Sequence, residues 1–337
     1  MKAIQIYRRE GVFLTAFLLV SLLFSFSSCS GGPTYVGAGG GTSGSATYKV
    51  TVETSTNGGV AEGEKITLTV TPKTGYKLDA LTVKDGGNNA VSTTEVTEGT
   101  SYTFKMPAGN VTVNATFKAM LGSKASPDAV GDIVFSDGSA VPYTADLTLT
   151  DEQKAAAIAV IFDATKKLGV GLKQGQDKMW AKSGTAGYNS ISTLKAKLES
   201  GSNAGDAEFS GDGASDGSGS LETFKKFVKD NGNDYSEENY SAWYWIENYA
   251  AGLTGECASG WYMPSIRELC DLYNAKAAVN NSINKTGGTQ MSTSNWYWSS
   301  SQVASGSNYA WFVSFGSGDL INDSEDDTLS VCAVRAF

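Results

Sequence analysis

The stretch that most constrains the fold is residues 259–273, which read SGWYMPSIRELCDLY. Ser265 and Glu268 stand three positions apart, the spacing of a capping box, in which two otherwise unpaired N–H groups are satisfied at the start of a helix. Apolar residues then recur at the spacing of one helical face: Ile266, Leu269, Leu272 and Tyr273. The sequence therefore predicts a capped helix that packs on a core, with Trp261 and Met263 in the extended segment before it.

Three segments after this helix have the pattern of strands with a buried side: residues 295–302 (NWYWSSSQ), 309–316 (YAWFVSFG) and 330–337 (SVCAVRAF). In the second segment Trp311, Val313 and Phe315 share one face at period two, and three large apolar residues together predict a core face. Phe312 then falls on the opposite face, which this alternation predicts to point outward. The residues predicted to form the scaffold are Trp261, Trp298, Trp311, Val313, Phe315 and Val334.

The N-terminal half begins with a leader and a tether. Residues 1–28 contain an apolar run, VFLTAFLLVSLLFSF, after a positively charged start, and end in small residues directly before Cys29. This pattern resembles a bacterial lipoprotein signal, with Phe26 at the position that is usually Leu. The resemblance implies cleavage before Cys29 and its acylation, and an ordinary secreted protein with a chance cysteine is the alternative. Residues 29–46 are rich in Gly and Ser and are predicted to be a flexible tether.

Residues 47–118 have period-two alternation broken by turn clusters, which predicts a small all-β domain. Its order GEKITLTVTP, then GY, then YTFKMPAGNVTVNATF, resembles the bacterial surface β-repeat related to the internalin B-repeat. The residues that carry this resemblance are Gly75, Tyr76, Met106, Pro107, Ala108 and Phe117. The resemblance implies a spacer or adhesion module, and residues 119–127 are predicted to be a linker to the second domain.

The motifs G-W-x-M-P-S-x-x-E-L, W-S-S, A-W-x-x-x-F-x-x-G and V-R-A-F follow one another in the C-terminal half. Together they resemble the C-type lectin-like fold in its formylglycine-generating-enzyme (sulfatase-modifying) subtype, and within it the variable proteins of diversity-generating retroelements. The resemblance covers residues 128–337 and is densest over 257–337. The implied fold class is α+β, a C-terminal C-type lectin-like domain preceded by the small all-β repeat domain.

Two departures from related proteins narrow the implied function. Sulfatase-modifying enzymes use a pair of active cysteines near the chain end, but Cys332 has no near partner in the sequence, so the chain is predicted not to be an enzyme. Calcium-dependent lectins of this fold use Glu-Pro-Asn or Gln-Pro-Asp and Trp-Asn-Asp motifs, none of which occurs here. The acidic run 319–327 lacks EF-hand spacing. Two interpretations of this run remain, a calcium site and a solvated loop. No metal and no cofactor are predicted for the chain.

The resemblance implies a variable, ligand-contacting region at about residues 296–337. Retroelement mutagenesis changes adenines, mainly in Asn codons, and cannot produce Trp, Glu, Gln, Lys or Met. From residue 303 to 337 only Trp311 and Glu325 lie outside the reachable set. Outward aromatic residues beside Asn, Ser and Asp have the composition of an antibody paratope, although scattered exposed aromatics are also ordinary. The residues predicted to contact a ligand are Asn308, Tyr309, Phe312, Ser314, Ser317, Asp319, Leu320, Asn322 and Asp323.

Charge and composition limit the partners. The chain of 337 residues has a formal net charge of −9 and no histidine. Without a basic stripe, nucleic acid is not expected as a partner, and without histidine there is no Ser-His triad or imidazole metal ligand. Cys257, Cys270 and Cys332 allow one disulfide and one free thiol, or are small buried apolar residues.

Further local patterns predict the remaining elements. Thr150 and Gln153 form a second capping-box pattern, and the apolar run from residue 157 predicts a central strand. Ser220 is predicted to cap a helix over 221–230, and Ser236 is predicted to open another helix. The second helix contains an aromatic cluster, which we interpret as core in preference to a ligand cage. Residues 199–220, rich in Gly, Ser and Asp, are predicted to be an exposed loop.

Taken together, the residues and the resemblances predict a lipid-anchored, monomeric protein of the outer membrane that faces the cell surface. It would bind an unidentified host or bacterial surface protein or glycan non-covalently through a diversified patch. The rival hypotheses are an adhesin or lectin-like module of fixed specificity, binding a host glycan or matrix protein, and a residual oxidase related to the sulfatase-modifying enzymes.

Overall fold

The computed structural model describes the chain in segments: residues 5–8, 20–21, 46–52, 62–72, 75–97, 99–232, 235–253, 257–306 and 308–337. The predicted acylation site Cys29, all of the predicted tether except Ala46, and most of the predicted signal segment lie outside the described residues. The chain divides into two compact units, residues 1–120 and 121–337. Within the described part, no helix is both long and apolar enough to cross a membrane.

The N-terminal unit consists of antiparallel strands. Their bounds are β1 Gln5–Arg8, β2 Val20–Ser21, β3 Ala46–Val52, β4 Lys65–Thr69, β5 Tyr76–Asp85, β6 Thr94–Thr97, β7 Ser101–Lys105 and β8 Val111–Ala119. They form one sheet in the order β2-β1-β4-β7-β6 and a second in the order β3-β8-β5. Alternate residues of β4 and β8 are buried in a shared core, so the period-two pattern acts as predicted.

The repeat residues of this unit have structural positions. Gly75 has a φ of +83°, the left-handed region that favours glycine, and its carbonyl accepts a 2.8 Å hydrogen bond from the Met120 amide. Met106 and Phe117 are buried in the core between the strands. These residues therefore shape a turn and fill a core.

The C-terminal unit is a mixed α and β structure. Its strands are β9 Ile133–Phe135, β10 Ala140–Val141, β11 Ala157–Asp163, β12 Leu168–Met179, β13 Lys195–Ser200, β14 Glu208–Ser210, β15 Trp296–Val303, β16 Tyr309–Ser314, β17 Leu320–Ser324 and β18 Thr328–Ala336. Its helices are α1 Asp151–Ala156, α2 Ser220–Asp230, α3 Ser241–Asn248 and α4 Ile266–Thr286. Most of the strands follow the order β10-β9-β11-β12-β18-β15-β13-β14, and β16 and β17 extend the sheet from β15.

Helix α4 confirms the prediction from residues 259–273. The Ser265 hydroxyl accepts from the Glu268 amide and the Glu268 carboxylate accepts from the Ser265 amide, so the capping box is complete. Gly287 ends the helix in the left-handed conformation, with a φ of +80°. The predicted apolar face, including Ile266, Leu269 and Leu272, is buried. The same reciprocal pair forms at Thr150 and Gln153 before α1.

Two predicted helix starts are wrong. Ser220 is the first residue of α2 and not its cap, because its hydroxyl donates to the Gly217 carbonyl at 2.6 Å. Helix α3 begins at Ser241, since residues near Ser236 form a turn in which the Tyr240 amide donates to the Ser236 carbonyl. The predicted exposed loop 199–220 also contains a strand, β14. The aromatic cluster of α3 is core, as predicted, with Trp243 and Ile246 buried.

The sheet carries a separate core on each side. Trp311, Val313 and Phe315 pack on one side with the buried face of α4. On the other side Phe312 packs with Trp298, in a cluster that includes Trp180, Phe224 and Trp243. Strand β16 therefore lies between two cores. The prediction that Phe312 points outward is wrong: its side chain is 1% exposed. All six predicted scaffold residues are buried.

Candidate functional site

The predicted contact residues lie on and around a three-stranded frame made of β15, β16 and β17. Strand β16 pairs antiparallel with both neighbours. Trp298, Phe312 and Ile321 stand opposite one another across the three strands, and Trp311 stands opposite Asn322. Directly opposite residues project from the same face of a sheet. The frame therefore has a Phe312 side, with Trp298 and Ile321, and a Trp311 side, with Asn322.

The Phe312 side of the frame carries two exposed apolar side chains. Trp296 is 49% exposed and Ile321 is 36% exposed, although Phe312 between them is buried. The Trp296 ring stacks on the Phe312 ring with centroids 5.8 Å apart and planes 28° apart, and Trp298 meets Phe312 edge-on at 5.5 Å. Asp323 lies two residues beyond Ile321 on the same face and is exposed. We call Trp296, Ile321 and Asp323 the Trp296 patch.

The Trp296 patch was only partly predicted. Asp323 is in the predicted contact set, but Trp296 and Ile321 are not. Period-two alternation places Trp296 on the face of Trp298, so the sequence contained a signal for the side of the sheet on which it lies. The alternation could not tell that Trp298 is covered by a core and Trp296 is not. Phe312 contributes to the patch as the buried ring under Trp296.

Other members of the predicted set lie on the Trp311 side. Tyr309, which is 40% exposed, and Asn322, which is exposed, both project there. Leu320 is half-buried against the core. The core under them is closed by Trp311, whose indole N–H donates to the Ala196 carbonyl at 3.0 Å and whose ring meets Phe209 at 5.6 Å. The predicted set is therefore divided between two faces of the same strands.

The turn between β16 and β17 holds a third group. Ser317 and Asp319 are exposed, and the Ser317 hydroxyl donates to the Asp319 carboxylate at 2.6 Å. Ser314, predicted to point outward, is buried under this turn, and its hydroxyl lies 3.0 Å from that of Ser317. The Asn203 side chain donates to the Ser317 carbonyl at 3.0 Å and fixes the turn from outside the predicted region.

The opposite end of the frame is organised by Tyr188, which the sequence did not mark. Its hydroxyl accepts from the Asn308 amide group at 2.9 Å and lies 2.9 Å from the Ser324 hydroxyl. The Glu325 amide also donates to the Asn308 carbonyl at 3.1 Å. Asn308 is half-buried by these contacts. One tyrosine therefore joins the segment before β16 to the end of β17.

A buried carboxyl lies beneath this end of the frame. Glu325 is completely buried, and its Oε1 accepts a 2.7 Å hydrogen bond from the Gln302 amide group. Among the described residues its Oε2 has no hydrogen-bond partner. Burial raises the pKa of Glu325 to about 9, against the smaller opposing effect of Gln302. The carboxyl is therefore protonated and neutral at neutral pH.

The turn after β17 concentrates exposed acidic groups. Burial, and then the neighbouring Asp323 and Asp326 carboxylates, raise the pKa of Asp327 above its ordinary value. The Asp326 carboxylate accepts from the Ser324 hydroxyl at 2.5 Å. In the part of the chain that the structure describes, no three Asp, Glu, Cys or His side chains are grouped so as to hold a metal ion.

The cysteines have no reactive arrangement. Cys257, Cys270 and Cys332 are buried and free within the described ranges. Burial raises the pKa of the Cys270 and Cys332 thiols to about 12, so neither is a thiolate at neutral pH. The surroundings of these two thiols therefore do not favour the nucleophilic chemistry of an oxidase.

Comparisons with known proteins bear out the resemblance of both parts of the chain. Residues 34–121 match the family model of the divergent InlB B-repeat domain, and residues 220–335 match that of the Lcl C-terminal domain. No curated protein sequence matches the chain. A fimbrial protein from Bacteroides ovatus ATCC 8483, known from its crystal structure, is similar at 13% identity, covering 86% of this chain and 71% of that chain, with a TM-score of 0.44.

Proposed function

We propose that this chain, which carries a divergent InlB B-repeat domain and an Lcl C-terminal domain, is a surface-displayed lipoprotein that binds a ligand non-covalently. The observation that carries the proposal is the Trp296 patch. An exposed Trp on β15 and an exposed Ile on β17 lie on the same face of the sheet, with the buried Phe312 of β16 between their strands. The ligand-binding module is the C-terminal unit, and the N-terminal unit is its spacer.

The packing of Trp296 suits it to recognition. Its ring is already held against Phe312 by stacking, so binding would immobilise little additional side-chain freedom. Aromatic residues in a fixed position are the usual energetic centres of binding surfaces, surrounded by adaptable polar groups. Asp323 supplies such a group on β17, on the same face of the sheet. The expected mode is recognition by a rigid anchor with a polar rim.

The distribution of codon-restricted residues supports diversification of this surface. Between residues 296 and 337 the residue types that adenine mutagenesis of Asn codons cannot produce are Trp296, Trp298, Gln302, Trp311 and Glu325. All except Trp296 are buried, and each buried one makes a side-chain hydrogen bond. The exposed residues Tyr309, Ile321, Asn322 and Asp323 are all of reachable types. We propose a constant frame, a constant Trp296 anchor, and changing exposed residues at the start of β16 and along β17.

We further propose that the C-terminal unit has a C-type lectin-like fold and that the chain is anchored at Cys29 in the outer membrane. The order of α4, β15, β16, β17 and β18, which follows the order of the resembling motifs, supports the fold. Cleavage before Cys29 would remove β1 and β2 and leave β4 as an edge of its sheet. Multiple acyl chains would then hold the protein stably, because each buried methylene contributes ~0.8 kcal/mol.

Binding is tested by capturing partners from host and bacterial surface extracts on the full chain. The variant Trp296→Ala/Ile321→Ser should lose the captured partner by at least about tenfold in affinity, because it removes the apolar anchor. Val130→Ser is the matched control, since Val130 is also an exposed apolar residue of the C-terminal unit but precedes β9. If the double variant retained every partner as well as the control did, the Trp296 patch would not be the binding site.

Diversification is tested separately, on the coding DNA. A nearby imperfect repeat that differs from the 3′ coding segment only at adenines, together with a reverse transcriptase gene, is expected. Their absence would leave a binding protein of fixed specificity. Labelling of the cell-grown protein with a radioactive fatty acid, abolished by Cys29→Ala, is expected for the lipid anchor.

A further inference from the structure

Strand β17 is an edge of its sheet. Among the described residues it pairs with β16 and with no other strand. On the outer side the backbone of its first residue bonds to another segment, where the Leu320 amide donates to the Ser202 carbonyl at 3.2 Å. The rest of the outer edge, from Ile321 to Ser324, faces away from the frame.

The pairing fixes the direction of each backbone group on this edge. In an antiparallel strand, successive residues turn their N–H and C=O groups alternately toward and away from the partner strand. The Asp319 carbonyl accepts from the Ser314 amide, on the β16 side, whereas the Leu320 amide points outward to Ser202. The alternation therefore turns both the N–H and the C=O of Asn322 outward. The outward N–H of Ser324 is already taken by the Asp323 carboxylate at 2.9 Å.

The edge lacks most of the features that prevent strand pairing. The sequence of β17, LINDS, contains no Pro and no Lys, and its register with β16 has no bulge. Its only protection is negative charge, from Asp323 within the strand and from Asp319, Asp326 and Asp327 beside it. Two copies of this edge would repel each other, because these charges would be brought close together. A positively charged strand would be attracted by the same groups.

We propose that the outer edge of β17 binds an extended, basic segment of a partner polypeptide by strand addition. The Asn322 N–H and C=O form the hydrogen bonds that fix the partner's register. On the Phe312 side the partner places an apolar residue opposite Ile321 and, two residues away, a Lys or Arg opposite Asp323. This inference rests on the proposed function, since it names the ligand class and binding mode of the Trp296 patch.

Two features favour a polypeptide over a glycan. The outward groups of Asn322 are a donor and an acceptor at the spacing of a β-ladder, which another backbone in extended conformation matches directly. The patch residues Ile321 and Asp323 follow at the period-two spacing of strand side chains. The Asp323 carboxylate contributes to the raised pKa of the neighbouring Asp327. A cationic side chain placed near both carboxylates would stabilise their ionised forms.

The test uses a displayed library of random peptides of about 12 residues, selected on the full chain. Two variants at one position separate backbone from side-chain binding. Asn322→Pro removes the outward N–H and places a ring in the path of an added strand, and it spares the bonds to β16 because that N–H points away from β16. Asn322→Ala removes the side chain and keeps the N–H. The selected peptides should be rich in Lys and Arg, bind Asn322→Ala normally, and bind Asn322→Pro at least about tenfold more weakly.

A measurement on the wild-type chain avoids dependence on the proline variant. Amide hydrogen exchange should slow at Asn322 when a selected peptide binds, because that N–H becomes hydrogen-bonded. Unchanged exchange at Asn322, equal binding to the Pro and Ala variants, or no selected peptide at all would each overturn strand addition. So would binding to a glycan array that Asn322→Pro leaves intact.

The two proposals fail in different ways. If peptides or glycans lose binding with Trp296→Ala/Ile321→Ser but not with Asn322→Pro, the patch binds a ligand and strand addition is wrong. If the bound partners are indifferent to both, the proposed function is wrong as well.

Discussion

Strands β16 and β17 are neighbours in one sheet, yet they differ in almost every property that matters for function. Five of the six residues of β16 are buried, whereas β17 has three exposed residues and two half-buried ones. Phe312 and Ile321 stand directly opposite each other, but the first is 1% exposed and the second 36%. Strand β16 lies between two cores, whereas β17 contributes Leu320 to the margin of one of them and is otherwise exposed or half-buried. Position in the sheet, more than side-chain alternation, separates frame from surface.

This difference predicts that substitutions are tolerated in β17 and are constrained by packing in the adjacent strand β16. A substitution in β16 changes a packed interior, where volume and shape are fixed by neighbours on both sides. A substitution in β17 changes mainly side chains that are exposed or half-buried. A protein that varies its surface residues needs such a boundary, because otherwise variation would unfold it.

The largest expected effect is at Phe312. Phe312→Ala should lower the free energy of unfolding of the C-terminal unit by ~3–5 kcal/mol, because it removes a buried ring and leaves a cavity between Trp296 and Trp298. Ile321→Ala, at the position directly opposite, should cost only about 1 kcal/mol. Denaturant unfolding of the full chain, followed by tryptophan fluorescence, measures both. Equal costs would mean that β16 is no more buried than β17.

The second effect is a dependence on pH that originates at Glu325, just after β17. The folded state keeps this proton at pH values where the unfolded state has released it, between about 4.5 and about 9. The free energy of unfolding should therefore fall as the pH rises through this range, by more than ~1 kcal/mol between about pH 5 and about pH 8. Glu325→Gln should remove that part of the dependence. If the wild type and Glu325→Gln lost the same stability between the two pH values, the carboxyl would be ionised when folded.

The smallest expected effect is at Asn322, opposite Trp311. Asn322→Ala should change the free energy of unfolding by no more than ~0.5 kcal/mol, because the side chain is exposed. Chemical denaturation at neutral pH gives the value. A cost above about 1 kcal/mol would place Asn322 in the frame and weaken the distinction between the two strands.

Local signals predicted the elements that are governed by local physics. The capping box of α4 and its apolar face depend on residues within one or two turns, so Ser265, Glu268 and Leu269 were enough to place the helix. The turn at Gly75 and the alternating strands of the N-terminal unit were predictable for the same reason. At Ser220 and Ser236 the local signal failed, because each residue has a different hydrogen-bond partner in the folded chain.

The candidate site was predicted less well because exposure is not a local property. The predicted set included residues of β17 and its turn that are exposed, but it also included Phe312 and Ser314, which are buried. The prediction from side-chain alternation assumed a sheet with a core on one side, whereas this sheet has a core on each side. Tyr188 could not be linked to the site from sequence, since more than 100 positions separate it from Asn308. Gln302 could not be linked to it because it acts through the buried Glu325.

The sequence by itself determined the capped helix α4, the strands around it, the β-repeat and the resemblance of both parts to known families. These follow from short-range spacing of apolar, capping and turn residues. Only the tertiary structure decided which side chains reach the surface. Alternation specifies two faces of a strand, and the second core, built from Trp180, Phe224 and Trp243, buried the face that carries Phe312. That burial covered Phe312 and left Trp296 and Ile321 exposed.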